Sequence, residues 1–183
     1  MRNLKIIDTL MCLVFAFYPP FMLLYTYMCG NNMIITFCGH GNVNIEQTKI
    51  DKIKDFLIEK IKQCPDAKFY LGGYGCFDHL VFSILRKLKK DFQNIELIFI
   101  SPYLDSSYSK LQIANEIYDG TLYPPIETVP KKFAILKRNE WMVENCDLLV
   151  AYVKYSWGGA KKTLEYAIRK KKPYINFAEH KNG

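Results

Sequence analysis

From Met33 onward, short runs rich in Val, Ile, Leu and Phe alternate with longer segments whose apolar residues recur at helical spacing. This alternation constrains the chain more than any other feature, because an apolar run of four to seven residues can be buried on both faces only inside a sheet covered by helices. Met33–Cys38 (MIITFC) reads as the first strand and ends in Gly39-His40-Gly41-Asn42. Ile45–Gln63 reads as a helix carrying Ile50, Ile53, Leu57 and Ile61 on one face. Lys68–Leu71 is a second strand, closed by Gly72-Gly73-Tyr74-Gly75, and Phe77–Lys90 a second helix. Ile95–Ser101 is a third strand, followed by a weaker helix over Ser106–Tyr118 and a Pro-rich loop. A short strand at Ile126–Val129, a helix over Lys131–Asn145 with Phe133, Leu136 and Met142 inward, a strand at Asp147–Val153, a helix over Ala160–Lys171 and a last strand at Pro173–Phe177 complete the series. The expected fold class is α/β: a Rossmann-like, doubly wound, mainly parallel sheet of about five strands with helices on both faces. Residues 33–183 form it as one domain. A charged fraction of 23% and a hydrophobic fraction of 50% over 183 residues exclude disorder and supply one real core.

Residues 1–32 are a separate hydrophobic segment. No Asp, Glu, Lys or Arg lies between Asp8 and Glu46, and 17 of the 20 residues from Leu10 to Cys29 are apolar. That length suits a membrane-crossing helix, with Arg2 and Lys5 holding the N-terminus in the cytoplasm, although Pro19-Pro20 would kink it. Two other readings stay open: a translation start placed too early, with Met33 the true one, or a partner-binding segment. The globular part is expected in the cytoplasm, anchored at a membrane if residues 10–29 span one.

In a doubly wound sheet, ligands bind beyond the C-terminal ends of the strands. Three strand–helix loops carry glycine clusters there: Gly39/Gly41, Gly72/Gly73/Gly75 and Gly158/Gly159. Glycine lets backbone approach a ligand, and the next helix offers N–H groups to an anion. No GxGxxG or GxxxxGK[ST] pattern is present, which disfavours a conventional dehydrogenase or NTPase. Gly158, Gly159 and Ala160 are placed to hold a phosphate, aided by Lys161 and the Thr163 hydroxyl. Arg138 offers a bidentate contact to phosphate or carboxylate. His40 and Asp78 are candidates for a base or ribose contact, Asp78 equally for capping its helix. Tyr74, Tyr103 and Trp157 are candidates for stacking on a base. Glu165 is the candidate general acid or base near the Gly-Gly loop. The six cysteines form no CxxC pair and no zinc spacing. They read as buried thiols, Cys38, two residues before His40, being the one suggestive of a catalytic cysteine. No cofactor and no metal is implied.

The segment GGYGCFDHLVFSILRKL, followed by a strand and Ser101-Pro102-Tyr103, resembles the SLOG superfamily of Rossmann-like domains, especially its bacterial members. That group includes DNA-processing protein A and the Lonely Guy phosphoribohydrolases. The opening Thr36–His40 strand and loop, the Gly72–Asp78 element and the series Lys137–Val143, Cys146–Val150 and Gly158-Gly159 are similar to motifs of the group. The resemblance covers Met33 to about Phe177. It implies a nucleotide-type or phosphorylated small-molecule ligand at the C-terminal strand edge, bound in a sensor role. It also implies an alternative: hydrolysis of the N-glycosidic bond of a nucleoside monophosphate, with Arg138 and Glu165 catalytic. Against the phosphoribohydrolase loop, Trp157 replaces a proline, Lys161 a glycine and Lys162 a threonine, with Thr163 one residue late. Single-stranded DNA binding is a third reading. The net charge is +7, but the densest basic run, Arg169-Lys170-Lys171-Lys172, reads as a solvated helix C-terminus. Nucleic acid is therefore disfavoured as a partner, and a homo-oligomer is compatible with the pattern.

Overall fold

The computed structural model describes residues 33–104 and 109–178, with side chains described throughout except over 105–112. The N-terminal hydrophobic segment lies outside the described residues. Among the described residues, no helix is long and apolar enough to cross a membrane.

Six strands form one parallel sheet: β1 (Ile34–Gly39), β2 (Lys68–Leu71), β3 (Glu96–Ile100), β4 (Gly120–Leu122), β5 (Leu148–Tyr152) and β6 (Tyr174–Asn176). Five helices connect them: α1 (Gln47–Gln63), α2 (Gly75–Leu88), α3 (Ser109–Ile117), α4 (Lys131–Glu144) and α5 (Gly158–Arg169). The strand order is β4-β3-β2-β1-β5-β6. The sixth strand is β4, not the segment Ile126–Val129, which is a turn closed by Ile126 N–H to the Pro124 carbonyl and Val129 N–H to the Ile126 carbonyl. The sheet is wholly parallel, where the sequence pattern predicts a mainly parallel sheet of about five strands.

Alternate residues of each strand face opposite layers. Ile35, Phe37, Phe69, Leu71 and Leu97 pack with Ile53, Leu57 and Ile61 of α1 and Phe77, Val81 and Leu85 of α2. On the other face, Cys38, Leu149 and Ala151 pack with Ala160, Leu164 and Ala167 of α5, and Tyr70 and Ile100 with Met142 of α4. Neither α1 nor α5 has a side-chain cap. Each buried Leu or Ile is worth about 1.5–3 kcal/mol, against about 1 kcal/mol for a cap, so burial holds these helices.

In α4 the buried face is Ala134, Arg138 and Met142 with Val143, while Phe133 is exposed. Of the expected inward set, Met142 is buried and Leu136 half-buried, and Phe133 is corrected to an exposed position. The stripe runs at strict four-residue spacing, and a buried arginine occupies its centre.

Candidate binding site at the sheet switch point

The connections run from β1 through β2 and β3 to β4 in one direction, and to β5 and β6 in the other. The strand order therefore reverses between β1 and β5, and the space beyond their C-terminal ends is where open sheets of this kind hold their ligands. Residues on both sides of it are joined by His40. This side chain is buried, and its Nε2 accepts the backbone N–H of Lys154 at 3.1 Å and of Tyr155 at 2.9 Å. Backbone N–H groups only donate, so Nε2 bears a lone pair and the ring is neutral with its proton on Nδ1. Burial holds its pKa below the ordinary value of 6.5. The polar tip expected to touch a base or ribose is thus engaged with the chain's own backbone.

Above this latch lies an aromatic shelf. The Tyr155 and Trp157 rings stack with centroids 5.5 Å apart and planes 13° from parallel. The His40 ring sits 4.7 Å from Tyr155 and 6.2 Å from Trp157. Trp157 is 69% exposed, the most exposed of the large apolar side chains described. Tyr155 is not among the sequence candidates. Its signal is nonetheless present in the sequence as a second aromatic residue in the short bend between β5 and α5.

Trp157 is also the N-terminal flanking residue of α5, whose first turn has no acidic residue and no side-chain cap. Side chains added at Gly158 or Gly159 would meet nothing within 4 Å, so the approach to this end is open. Lys154 and Lys162 are exposed beside it, and Lys161 pairs with Glu165 at 3.5 Å. Thr163 faces inward instead. Its hydroxyl donates to the Gly159 carbonyl (2.9 Å) and accepts from Asn139 Nδ2 (3.3 Å), tying α5 to α4 rather than meeting a phosphate.

The Gly72–Gly75 loop serves a different purpose. Arg138 is 1% exposed, and its Nη1 donates to the carbonyls of Gly72 and Ile100, each at 2.8 Å. A Cβ on Gly72 would lie 2.6 Å from that Nη1 and 3.0 Å from Asp78 Oδ2, so the missing side chain makes room for a buried polar knot. Asp78 accepts the Tyr74 N–H at 3.0 Å, and the Tyr74 ring lies 5.4 Å from the guanidinium carbon. Tyr118 shares the knot: burial first, then the Asp78 charge, pushes its hydroxyl up to about 12 against the opposing effect of Arg138. Asp78 lies in the first turn of α2 and reaches back to the flanking Tyr74 N–H, while the helix itself has no side-chain cap. Arg138 is buried with its Nη1 spent on two backbone carbonyls, so it stands in this knot and not beside Gly158 and Gly159. Glu165 is exposed on α5 and turned to Lys161. The structure therefore does not assemble Arg138 and Glu165 into a catalytic pair.

The remaining candidates divide in the same way. A side chain on Gly39 would collide with Phe77, and one on Gly73 with Phe99. Gly75 has φ +85, and a Cβ there would come 2.6 Å from the Gly41 Cα, where Cys76 N–H also donates to the Gly41 carbonyl at 3.0 Å. Gly39, Gly72, Gly73 and Gly75 thus fit loops together, whereas Gly41, Gly158 and Gly159 face open space, although the Gly41 backbone also packs against Gly75. Tyr103 is half-buried in a local turn closed by Ser101 Oγ. Among the described residues, no group of three His, Cys, Asp or Glu is placed to hold a metal ion. Cys38 is buried with its thiol pKa pushed up, which opposes a nucleophilic role beside His40. Cys76 departs from the expected buried thiols, being exposed.

Compared with known protein families and with curated proteins, the sequence matches none. Among solved structures, the fold is similar to DNA processing protein A from Helicobacter pylori, studied for its single-stranded DNA binding mode. The TM-score is 0.57 and the identity 16%, over 82% of this chain and 67% of that one. It is also similar to DNA processing protein A from Streptococcus pneumoniae, with a TM-score of 0.54 and 11% identity over 79% of this chain and 50% of that one. The chain thus spans about two thirds and half of their lengths. Identities this low show a shared Rossmann-like fold. They also correct the expectation that set nucleic acid aside: this fold carries single-stranded DNA binding in the Helicobacter pylori protein.

Proposed function

We propose that the domain binds single-stranded DNA across the β1/β5 switch point, with bases on the Tyr155–Trp157 shelf and phosphates near Lys154, Lys162 and the open N-terminus of α5. One observation carries this reading: a stacked, solvent-facing aromatic pair at the switch point of the sheet. Stacking on aromatic side chains beside basic groups is how single strands are held without regard to sequence. The similarity to a DNA-binding protein of the same fold supports it. Membership of the SLOG superfamily and a single domain over residues 33–183 belong to the same proposal.

A second reading is a mononucleotide ligand. The observation favouring it is the size of the shelf, one aromatic pair beside one helix N-terminus, which matches one nucleotide unit. Fluorescence anisotropy of labelled oligothymidylate, with unlabelled oligomer or thymidine monophosphate as competitor, separates the two. The DNA reading expects binding at low salt that the oligomer displaces at far lower concentration than the mononucleotide. Equal displacement per nucleotide would favour the small ligand, and no binding at low salt would overturn the DNA reading.

A further inference from the structure

His40 joins segments that lie 114 and 115 residues apart in the chain, the end of β1 and the loop after β5. A single acceptor atom holds both backbone N–H groups of that loop's start, and the same ring forms the floor under Tyr155 and Trp157. We infer that His40 is a positioning residue: its neutral ring fixes the Lys154–Tyr155 backbone so that the aromatic pair can receive a base, and a proton on Nε2 releases it. The inference rests on the binding reading above and adds a regulation of that site.

The chemistry of the ring gives the direction. Imidazolium carries N–H on both nitrogens and accepts no hydrogen bond. Protonated His40 would set a donor against two donors, so the loop loses both contacts. Burial alone depresses the pKa of this ring. The titratable and charged groups on the surrounding elements are Lys154 and Tyr155 in the loop, Tyr152 on β5, Tyr74 before α2, Cys76 and Asp78 on α2, and Lys161, Lys162 and Glu165 on α5. None of them contributes to that shift. The latched state thus binds fewer protons than the released one, whose histidine has the ordinary value of 6.5. The latch is fully present above that value and weakens as pH falls below it.

The test has two arms on the full-length chain. The first follows binding of oligothymidylate by anisotropy from about pH 8 to about pH 5.5, a range in which thymine does not titrate. Wild type is expected to weaken about tenfold across the range. His40→Ala is expected to bind weakly at every pH. His40→Gln places an uncharged acceptor near the Nε2 position, and is expected to recover part of the affinity with a flat pH profile. The second arm needs no ligand. In a Trp141→Phe background, Trp157 is the sole tryptophan, and its emission should change as pH falls below about 6.5. Adding His40→Gln to that background should abolish the change. A flat wild-type profile in both arms, or an unchanged pH response in His40→Gln, overturns the inference. If no oligomer binds but the emission arm behaves as expected, the DNA reading fails and the latch stands.

Discussion

At the scale of single residues, exposure separates binding side chains from structural ones. Trp157 presents most of its surface to solvent and contributes little to the core, so Trp157→Ala is expected to leave the urea midpoint close to wild type. It should weaken oligothymidylate binding by about 1–3 kcal/mol, the usual value of one aromatic–base stack. Unchanged binding in titrations would remove Trp157 from the site. Arg138 is the opposite case. Its removal strands the carbonyls of Gly72 and Ile100 in a dry interior, at about 1–3 kcal/mol each. Arg138→Ala should therefore cost about 3 kcal/mol or more in urea denaturation, a large part of a total near 5–15 kcal/mol. Activity lost in that variant would report unfolding, and a variant as stable as wild type would return Arg138 to the list of ligand contacts.

At the scale of elements, two glycines in superficially alike loops should respond oppositely to substitution. Gly159 faces open space in the first turn of α5, so Gly159→Asp fits and places a carboxylate at the positive end of the helix dipole. Stability should rise by about 0.3–1 kcal/mol while DNA binding falls, because the same charge repels phosphate. Gly75 has φ +85 and abuts the Gly41 backbone, so Gly75→Ala should destabilise by about 1–3 kcal/mol. Thermal melts of the two variants, with and without oligomer, check both signs. The contrast shows how far the sequence reaches. Glycine positions locate the functional edge of the sheet, but they do not say whether a missing side chain serves a ligand or a neighbouring loop. That depends on contacts such as Gly72 with Arg138 and Gly39 with Phe77, which join residues far apart in the chain. Strands such as β2 and helices such as α1 are legible because their burial follows a local period. β4 is not, since Gly-Thr-Leu has no apolar run and gains its place only by pairing with β3. The face of α4 is hidden for a related reason: its buried stripe is centred on an arginine, whose burial becomes intelligible only once the carbonyls it bonds are known.

For the whole molecule, the net charge of +7 matters less than its location. The basic run Arg169–Lys172 follows α5, a helix of 12 residues and so about 18 Å long, at the end remote from the Gly158–Gly159 turn. Two of its four charges are also engaged. Lys170 pairs with Glu144 at 2.9 Å, and Lys172 Nζ donates to the carbonyls of Glu144 and Cys146 at 2.7 and 3.0 Å. The cations beside the switch point are Lys154, Lys161 and Lys162. Phosphate contacts from Lys154 and Lys162 on a single strand give a slope of log K against log salt of about −1.4, or about a sevenfold loss of affinity between roughly 50 and 200 mM salt. Lys154→Ala or Lys162→Ala should each flatten that slope by about 0.7, while Arg169→Ala should leave it unchanged. Salt titrations of the four proteins decide where the strand runs. A slope that responds to Arg169 and not to Lys154 would place the DNA at the opposite end of the sheet, away from the aromatic shelf.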